Sequence, residues 1–170
     1  MKNKIFYSYS MVNGEDLTVN NLLKSHALTL ESKTAWNLLE TLYKSVYGVD
    51  LPLPRFEKSG KPIIENGFIS LSHSNGAVAV AFSNDIDVGV DIELIKNEVP
   101  KNLSKLLGKK QPLSFYKKWT EREAVIKAKN YSALKKGAEL EFEGLTETIK
   151  ILDKEYSLSL YGKNAEFIKV

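Results

Sequence analysis

An uninterrupted apolar run restricts the possible folds more than any other part of the sequence. Residues 77–82 read Ala-Val-Ala-Val-Ala-Phe, without a polar side chain on either side of the chain. Successive side chains of a strand point to opposite faces, so a strand of this composition is stable only when both faces are covered. We therefore predict a strand over residues 76–82 that has other elements packed on both of its faces.

Two helices and further strands surround this run. Apolar stripes at helical spacing predict helices over residues 31–47 and 113–129. Because the order of strand, helix and strands occurs twice, we predict an α+β fold of two similar halves, residues 1–83 and 84–170. Each half would be a long helix on a small antiparallel sheet, with a pseudo-twofold relation between the halves. The other predicted strands are residues 4–9, 68–72, 88–95, 139–145, 148–152, 156–161 and 166–170.

The composition excludes several kinds of chemical site. The chain has no cysteine, which rules out disulfides, thiolate zinc sites and cysteine nucleophiles. Its two histidines, His26 and His73, are too few for a three-histidine metal centre. Any metal would therefore be a hard cation bound by oxygen ligands.

Charge and hydropathy limit the partners. No stretch approaches the roughly 20 consecutive apolar residues of a membrane-spanning helix, so no membrane partner is expected. The first six residues include two lysines, but residues 7–14 are too polar and too short for the apolar region of a secretory signal, which favours a cytoplasmic protein. The net charge of +3 is mild and the lysines are interleaved with glutamates, which disfavours nucleic acid as a partner.

Two carboxylates are predicted to share one face of a strand. Alternation over residues 87–94 places Gly89, Asp91 and Glu93 on the same side. Like charges this close disfavour joint ionisation, and a divalent cation such as Mg²⁺ relieves the conflict. A half-buried strand with an ordinary polar face explains the pattern equally well. From this stretch alone both interpretations stay open.

The second predicted helix carries a matching set of side chains. Trp119, Glu123 and Lys127 follow one another at intervals of four residues and so lie along one helical face. Glu123 could complete a metal site and Lys127 could reach a phosphate. An ordinary surface pair, worth about 0.2–0.5 kcal/mol, is the alternative for the two charged residues. We interpret Trp119 as a packing anchor in either case.

A polar segment containing a histidine separates two apolar strands. Residues 70–76 predict a turn whose N–H groups, hydroxyls and imidazole could bind an anion, or a plain hairpin with His73 on the surface. Ser72 and Ser74 flank the histidine, but no G-x-S-x-G motif occurs, which excludes a nucleophile elbow. Lys61 follows Gly60 in a turn that is not a P-loop.

In order and spacing these motifs resemble the signature series of the 4′-phosphopantetheinyl transferases. The similarity is to the larger, monomeric kind that activates peptide synthetases. It covers residues 55–144 and extends faintly back to Glu31. The segments that carry it are Gly60-Lys61-Pro62, Phe-Ile-Ser-Leu-Ser-His-Ser at 68–74, Val-Gly-Val-Asp-Ile-Glu at 88–93 and Trp-Thr-Glu-Arg-Glu-Ala-Val-Ile-Lys at 119–127.

The resemblance implies a reaction and a catalytic set. Such enzymes use Mg²⁺ to transfer the phosphopantetheine arm of coenzyme A to a serine of an apo acyl or peptidyl carrier protein, releasing 3′,5′-ADP. It implies that Asp91, Glu93 and Glu123 bind the metal between the two halves and that Lys127 binds phosphate. Asp91, Glu123 and Lys127 are the implied catalytic residues, with either Glu123 or a water on the metal as the base.

The resemblance also implies the coenzyme A contacts. It assigns His73 to the 3′-phosphate, with Ser72 in the same segment, and Lys61 to the adenine nucleotide. Lys33 stands where relatives carry a second basic contact to the 3′-phosphate. Lysines of the following basic segment could dock an acidic carrier, or form an ordinary solvated loop. These lysines are Lys101, Lys105, Lys109 and Lys110.

Two other functions fit parts of the pattern. A degenerate relative would bind coenzyme A or a carrier without transferring anything, but Asp91, Glu93, Glu123 and Lys127 are all present. A metal-dependent phosphohydrolase could use the same carboxylates, but the chain offers no second acidic cluster or further histidines for a two-metal site.

Overall fold

The computed structural model of the protein describes residues 2–12, 29–130 and 140–170, and His26 lies outside these ranges. The described part contains three helices and two sheets, so the predicted α+β class is confirmed. The helices are α1 (Leu30–Tyr47), α2 (Lys101–Leu107) and α3 (Pro112–Lys129). The strands are β1 (Asn3–Met11), β2 (Arg55–Phe56), β3 (Pro62–Ile64), β4 (Gly67–Ser74), β5 (Ala77–Ser83), β6 (Gly89–Leu94), β7 (Gly144–Ile151), β8 (Lys154–Tyr161) and β9 (Ala165–Lys169).

Strand β5 lies inside a six-stranded sheet with the order β2-β3-β4-β5-β1-β9, and every one of its residues is buried. Val78, Val80 and Phe82 belong to the core that α1 forms on one face. Ala77, Ala79 and Ala81 belong to a second core, shared with strands β6 and β8. The predicted coverage of both faces is confirmed, and alanine on one face allows the second sheet to come close.

The six-stranded sheet contains one parallel pair. Strand β9 lies beside β1 with Ile5 opposite Phe167, whereas the neighbouring pair β1–β5 is antiparallel. The prediction of purely antiparallel sheets is therefore wrong for this pair, because the C-terminal strand returns to the edge of the first sheet. The predicted division of the chain at residues 83 and 84 stays a prediction.

The second sheet has the order β6-β8-β7 and is antiparallel throughout. Helix α3 packs on it so closely that Gly89 has no room for a side chain. A Cβ atom there would lie 1.9 Å from the carbonyl oxygen of Ala124 and 3.0 Å from the amide nitrogen of Ala128. Since Asp91 and Glu93 share a strand face with Gly89, both carboxylates face α3.

Several predicted boundaries need correction. The segment 70–76 is not a turn as a whole, because β4 continues to Ser74 and only Asn75 and Gly76 form the two-residue turn. Both turn residues have positive φ, 50° and 85°, as tight hairpin turns require. The strands predicted at 139–145 and 148–152 are replaced by the single strand β7, and the first of them begins at a residue outside the described ranges. No helix in the described ranges is long and apolar enough to cross a membrane.

Candidate functional site

The two sheets are joined by three serine hydroxyls at the place where the motifs meet. The N–H groups of Val90, Ile92 and Leu94 point away from β8, on the outer edge of the second sheet. They donate hydrogen bonds to the hydroxyls of β4, at 3.0 Å, 3.3 Å and 3.4 Å. The hydroxyl oxygens therefore take the place of backbone carbonyls along this edge. The accepting residues, in the same order, are Ser70, Ser72 and Ser74.

The same serines hold the acidic pair of β6. Ser72 donates to Oδ1 of Asp91 at 2.9 Å, and Ser74 donates to Oε2 of Glu93 at 2.7 Å. Asp91 is 4% exposed, so this carboxylate is a buried one that needs polar partners. The interpretation of an exposed polar strand face is wrong for Asp91, because helix α3 covers it.

Lys127 completes a buried cluster around Asp91. Its Nζ donates to Oδ1 of Asp91 at 2.7 Å, to the hydroxyl of Ser72 at 2.8 Å and to the carbonyl of Val90 at 3.1 Å. These three bonds use all three hydrogens of the ammonium group. Oδ2 of Asp91, by contrast, is buried and has no hydrogen-bond partner among the described residues. One carboxylate oxygen therefore remains available to a further cation.

Glu93 and Glu123 lie within the electrostatic reach of Asp91. Burial raises the pKa of Glu93, and the charge of Asp91 adds to the rise, although the Ser74 hydroxyl opposes it. Burial likewise raises the pKa of Glu123, followed by the charge of Asp91, while Lys127 opposes the rise. Mutual repulsion of this kind is what a shared cation would relieve. Asp91 therefore acts on the pKa of both Glu93 and Glu123, although burial is the larger cause of each shift.

The side chains as they stand do not form a finished metal cage. Within residues 2–12, 29–130 and 140–170, no group of three His, Cys, Asp or Glu side chains is arranged to hold a metal ion. The ammonium group of Lys127 instead supplies the positive charge beside Asp91. The donor atoms present are carboxylate and hydroxyl oxygens, the type that Mg²⁺ prefers.

A hydroxyl network that the sequence analysis missed fixes α3 to the second sheet. Thr120 is fully buried, and its Oγ1 lies 2.9 Å from the hydroxyl of Ser157 and 2.8 Å from that of Ser159. Thr146 extends the network, at 3.0 Å from Ser159 and 3.2 Å from Oε1 of Glu121. Satisfied buried networks specify one arrangement of the elements that share them. This one sets the position from which Glu123 and Lys127 project.

A cavity of about 620 Å³ opens beside the cluster and brings three predicted residues together. Lys61, His73 and Lys127 all line it, so three side chains that can bind anions face one space. The lining also includes six apolar residues, which are Ala35, Trp36, Phe56, Ile69, Leu71 and Ile126.

His73 reaches this cavity because it lies on the face of β4 opposite to the serines. Its Nδ1 is 3.2 Å from Oε2 of Glu31, in the first turn of α1. The other carboxylate oxygen of Glu31 accepts the N–H of Gly76 at 2.8 Å. Glu31 is a contact that the motif series did not indicate, and its position at the head of the predicted helix was the available signal.

The two remaining predicted residues have different environments. Nζ of Lys61 donates to the carbonyl of Ala128 at 2.6 Å and lies 4.0 Å from Asp87, so this lysine also binds the C-terminal end of α3. Lys33 is half-buried on α1 and is not among the residues that line the cavity, although the adjacent Ser32 is. Lys61, His73 and Lys127 therefore line one cavity, whereas Lys33 lies outside its lining.

Neither a family model nor a curated protein matches the chain.

Proposed function

We propose that this protein is a 4′-phosphopantetheinyl transferase, which moves the phosphopantetheine arm of coenzyme A to a serine of an apo carrier protein and releases 3′,5′-ADP. The single observation that carries the proposal is the approach of α3 to β6 at Gly89. It brings Glu123 and Lys127, from one motif, to Asp91 and Glu93, from another. The motif resemblance supplies the reaction, and this juxtaposition supports it.

Mg²⁺ is part of the proposal. Asp91, Glu93 and Glu123 would hold it, and the buried, unpartnered Oδ2 of Asp91 is the observation that favours a cation there. Glu93 and Glu123 would join Asp91 after changes of side-chain rotamer, since the three do not yet form a cage. When bound, the metal would neutralise charge on the pyrophosphate as its P–O bond breaks.

The cavity beside Lys127 suits the nucleotide end of coenzyme A. Ligand pockets commonly pair an apolar wall with a few charged groups that fix orientation. The wall formed by Trp36, Phe56 and their neighbours fits the adenine base, and His73 would meet the 3′-phosphate. Lys61 would lie near the adenine nucleotide. Ser72 donates to Asp91 and accepts from Lys127, which lines the cavity, so it connects the cavity with the acidic cluster. Lys33 would be a second contact to the 3′-phosphate, at the rim.

The reaction itself needs few groups from this chain. The serine hydroxyl of the carrier attacks the phosphorus that bears the pantetheine arm, and the bond from that phosphorus to the bridging oxygen of 3′,5′-ADP breaks. Glu123 would take the serine proton, because burial and the charge of Asp91 raise its pKa and make it a better base than an exposed carboxylate. Lys127 would bind the departing phosphate after exchanging one of its three present acceptors for a phosphate oxygen.

The carrier and the setting complete the proposal. Carrier proteins are acidic around their serine, and helix α2 with the loop after it exposes four lysines while burying none of its own residues. These are Lys101, Lys105, Lys109 and Lys110.

The enzyme would act as a cytoplasmic monomer without nucleic acid or membrane as a partner. The equal lengths of α1 and α3, each on its own sheet, support the pseudo-twofold relation between the halves.

A module that binds coenzyme A without transfer is the second candidate. It is favoured by one observation, the complete engagement of the Lys127 ammonium group with Asp91, Ser72 and Val90. A lysine that stays in this arrangement cannot serve a phosphate. The two candidates therefore differ in whether this cluster opens when ligand binds.

The decisive experiment is mass spectrometry of apo acyl and apo peptidyl carrier proteins after incubation with the enzyme, coenzyme A and Mg²⁺. Transfer predicts a gain of about 340 Da on the carrier, the mass of the arm with its phosphate. Asp91→Ala should lower the rate about a thousandfold or more, since several kcal/mol of charge stabilisation are lost. Asp153→Ala, in the exposed turn before β8, is the matched control and should leave the rate unchanged. Tight coenzyme A binding with no mass gain on any carrier would favour the module instead.

A further inference from the structure

We propose that Glu31 is a positioning residue that orients the imidazole of His73, so that Nδ1–H faces Glu31 and Nε2 faces the cavity that would receive the 3′-phosphate of coenzyme A. This inference rests on the proposed function, since it concerns the same cavity. It adds a residue that none of the motifs contains.

Glu31 is held from two sides. It lies in the first turn of α1, behind the N-cap residue Thr29, whose hydroxyl accepts the N–H of Ser32 at 3.1 Å. Its Oε1 accepts the N–H of Gly76 in the β4–β5 turn at 2.8 Å. With one oxygen fixed by this backbone group, the other oxygen is directed at Nδ1 of His73, 3.2 Å away. The carboxylate therefore has little freedom to turn aside.

The contact determines what His73 presents to the cavity. A carboxylate accepts hydrogen bonds only, so Nδ1 must carry a proton when it faces Glu31. Nε2 is then the nitrogen left for a ligand. To bond Glu31 through Nδ1 and a phosphate through Nε2 at the same time, the ring must donate from both nitrogens, which only the imidazolium form can do.

Two lysines share the cavity with His73. Lys61 from the β2–β3 connection and Lys127 from α3 both line it. Other polar residues that line the cavity are Ser32, Ser59, Ser70 and Asn130, none of which carries a charge. In the described part of the chain, Glu31 is the acidic residue that contacts His73. Its charge offsets the two lysines.

Glu31→Gln tests the inference because the amide keeps one acceptor and replaces the other with a donor. The amide oxygen would still accept the Gly76 N–H, so the amide nitrogen would face Nδ1 of His73. Nδ1 then becomes an acceptor, and the neutral ring carries its proton on Nε2. Long-range ¹H–¹⁵N NMR of the ring nitrogens distinguishes the two tautomers. The chain has only two histidines, so a His26→Gln background assigns the His73 signals.

Affinity supplies the second readout, because positioning and simple repulsion predict opposite signs. If Glu31 positions His73, Glu31→Gln should weaken binding of coenzyme A about tenfold, as when a charge-assisted hydrogen bond becomes a neutral one. Binding of 3′-dephospho-coenzyme A should stay unchanged. If Glu31 only adds negative charge near the site, the variant should bind coenzyme A more tightly. Glu40→Gln, farther along α1, is the matched control and should alter neither affinity nor tautomer.

The two readouts separate this inference from the proposed function. If the wild-type protein does not distinguish coenzyme A from its 3′-dephospho form, the proposed function loses its 3′-phosphate contact, while the NMR result in the ligand-free protein still tests Glu31. An Nδ1–H tautomer in the wild type that moves to Nε2–H in Glu31→Gln supports the positioning role. The same tautomer in both proteins, or tighter binding of coenzyme A by the variant, overturns it.

Discussion

Helices α1 and α3 each have 18 residues and each pack on a sheet, but the contact that α3 makes beside the candidate site differs from that of α1. Helix α1 covers its sheet with large apolar groups such as Trp36, Leu39 and Leu42. Helix α3 also buries large side chains such as Phe115, but beside β6 and β8 it approaches the sheet through the fully buried Thr120 and Ala124. The first contact is an ordinary hydrophobic core, whereas this part of the second combines close backbone approach with hydroxyl groups.

The two contacts should contribute differently to the stability of the fold and to the geometry of the candidate site. Burial of apolar area by α1 supplies non-directional stabilisation that tolerates small shifts. The polar contact of α3 is directional, so it fixes where Glu123 and Lys127 stand relative to Asp91. We conclude that the apolar core of α1 around Leu39 mainly maintains the fold, and that the polar contact of α3 mainly maintains the geometry of the candidate site. Substitutions in the two helices should therefore have different consequences.

The largest loss of stability is expected from Leu39→Ala in α1. Leu39 is fully buried, and truncation leaves a cavity, so the free energy of unfolding should fall by about 2–5 kcal/mol. Urea denaturation measures this loss. Transfer activity per folded molecule should stay close to that of the wild type at a temperature where the variant remains folded. A variant that is as stable as the wild type, or folded but inactive, would break the proposed contrast between the helices.

A smaller loss of stability with a large loss of activity is expected from Gly89→Ala. The new Cβ would overlap the carbonyl oxygen of Ala124, so α3 must shift, at a cost of about 1–3 kcal/mol. Displacement of Glu123 and Lys127 should remove most of the transfer activity. Gly67→Ala is the matched control, since its nearest neighbour is the flexible end of Ile64 at 3.0 Å. Full activity in Gly89→Ala would show that the close approach does not matter.

Thr120→Val should cost about 1–3 kcal/mol, because the near-isosteric change leaves the buried hydroxyls of Ser157 and Ser159 short of a partner. Thr120→Ser keeps the hydroxyl and should lose clearly less. Thermal unfolding of the three proteins measures the series. Equal stability of the valine and serine variants would mean that the network contributes nothing, and that packing alone holds α3.

The smallest effect is a gain of stability in Glu123→Gln. Since burial and then Asp91 raise the pKa of Glu123, the folded protein binds this proton more tightly than the unfolded chain does. The stabilisation that the proton provides is present at low pH and is lost as the pH rises through the raised pKa. The glutamine variant should therefore be more stable than the wild type at neutral pH in the absence of divalent cations.

The pH dependence distinguishes this effect from a general one. The two stability curves should converge as the pH falls below the ordinary glutamate pKa of about 4.3, where both side chains are neutral. Urea denaturation at several pH values in the presence of a chelator follows the difference. Glu121→Gln is the matched control, because Glu121 lies 3.6 Å from Lys118 and should not stabilise when neutralised. A constant difference at every pH would contradict the role of protonation.

The contrast between the helices also explains what could be predicted from sequence. Helices α1 and α3 begin one residue before their predicted starts, since an apolar stripe is a local pattern. The shared face of Gly89, Asp91 and Glu93 follows from the alternation of a strand, and its contact with α3 is consistent with the gap left by a glycine. These features depend on residues close together in the chain.

The features that were missed depend on partners far away in the chain. Ser70 and Ser72 fall within the predicted strand 68–72, but the polar segment 70–76 was also interpreted as a turn because serine is common in turns. Their hydroxyls in fact serve the N–H groups of β6, about which β4 alone carries no information. The same holds for Thr120 and its partners in β8. The contact of Glu31 with His73 depends on how α1 is placed on the sheet. In a sequence, the signal for such a contact would be two strands that each carry polar residues at every second position.

The most direct test of the central claim is to locate the divalent cation. Crystals grown with coenzyme A and Mn²⁺ in place of Mg²⁺ give anomalous density that identifies the metal independently of the rest of the map. We expect one Mn²⁺ bound by Asp91, Glu93 and Glu123 and by the pyrophosphate, with Lys127 released from Asp91 toward the ligand. A metal bound elsewhere, or one that touches Asp91 while Glu123 remains out of reach, would contradict the proposed site.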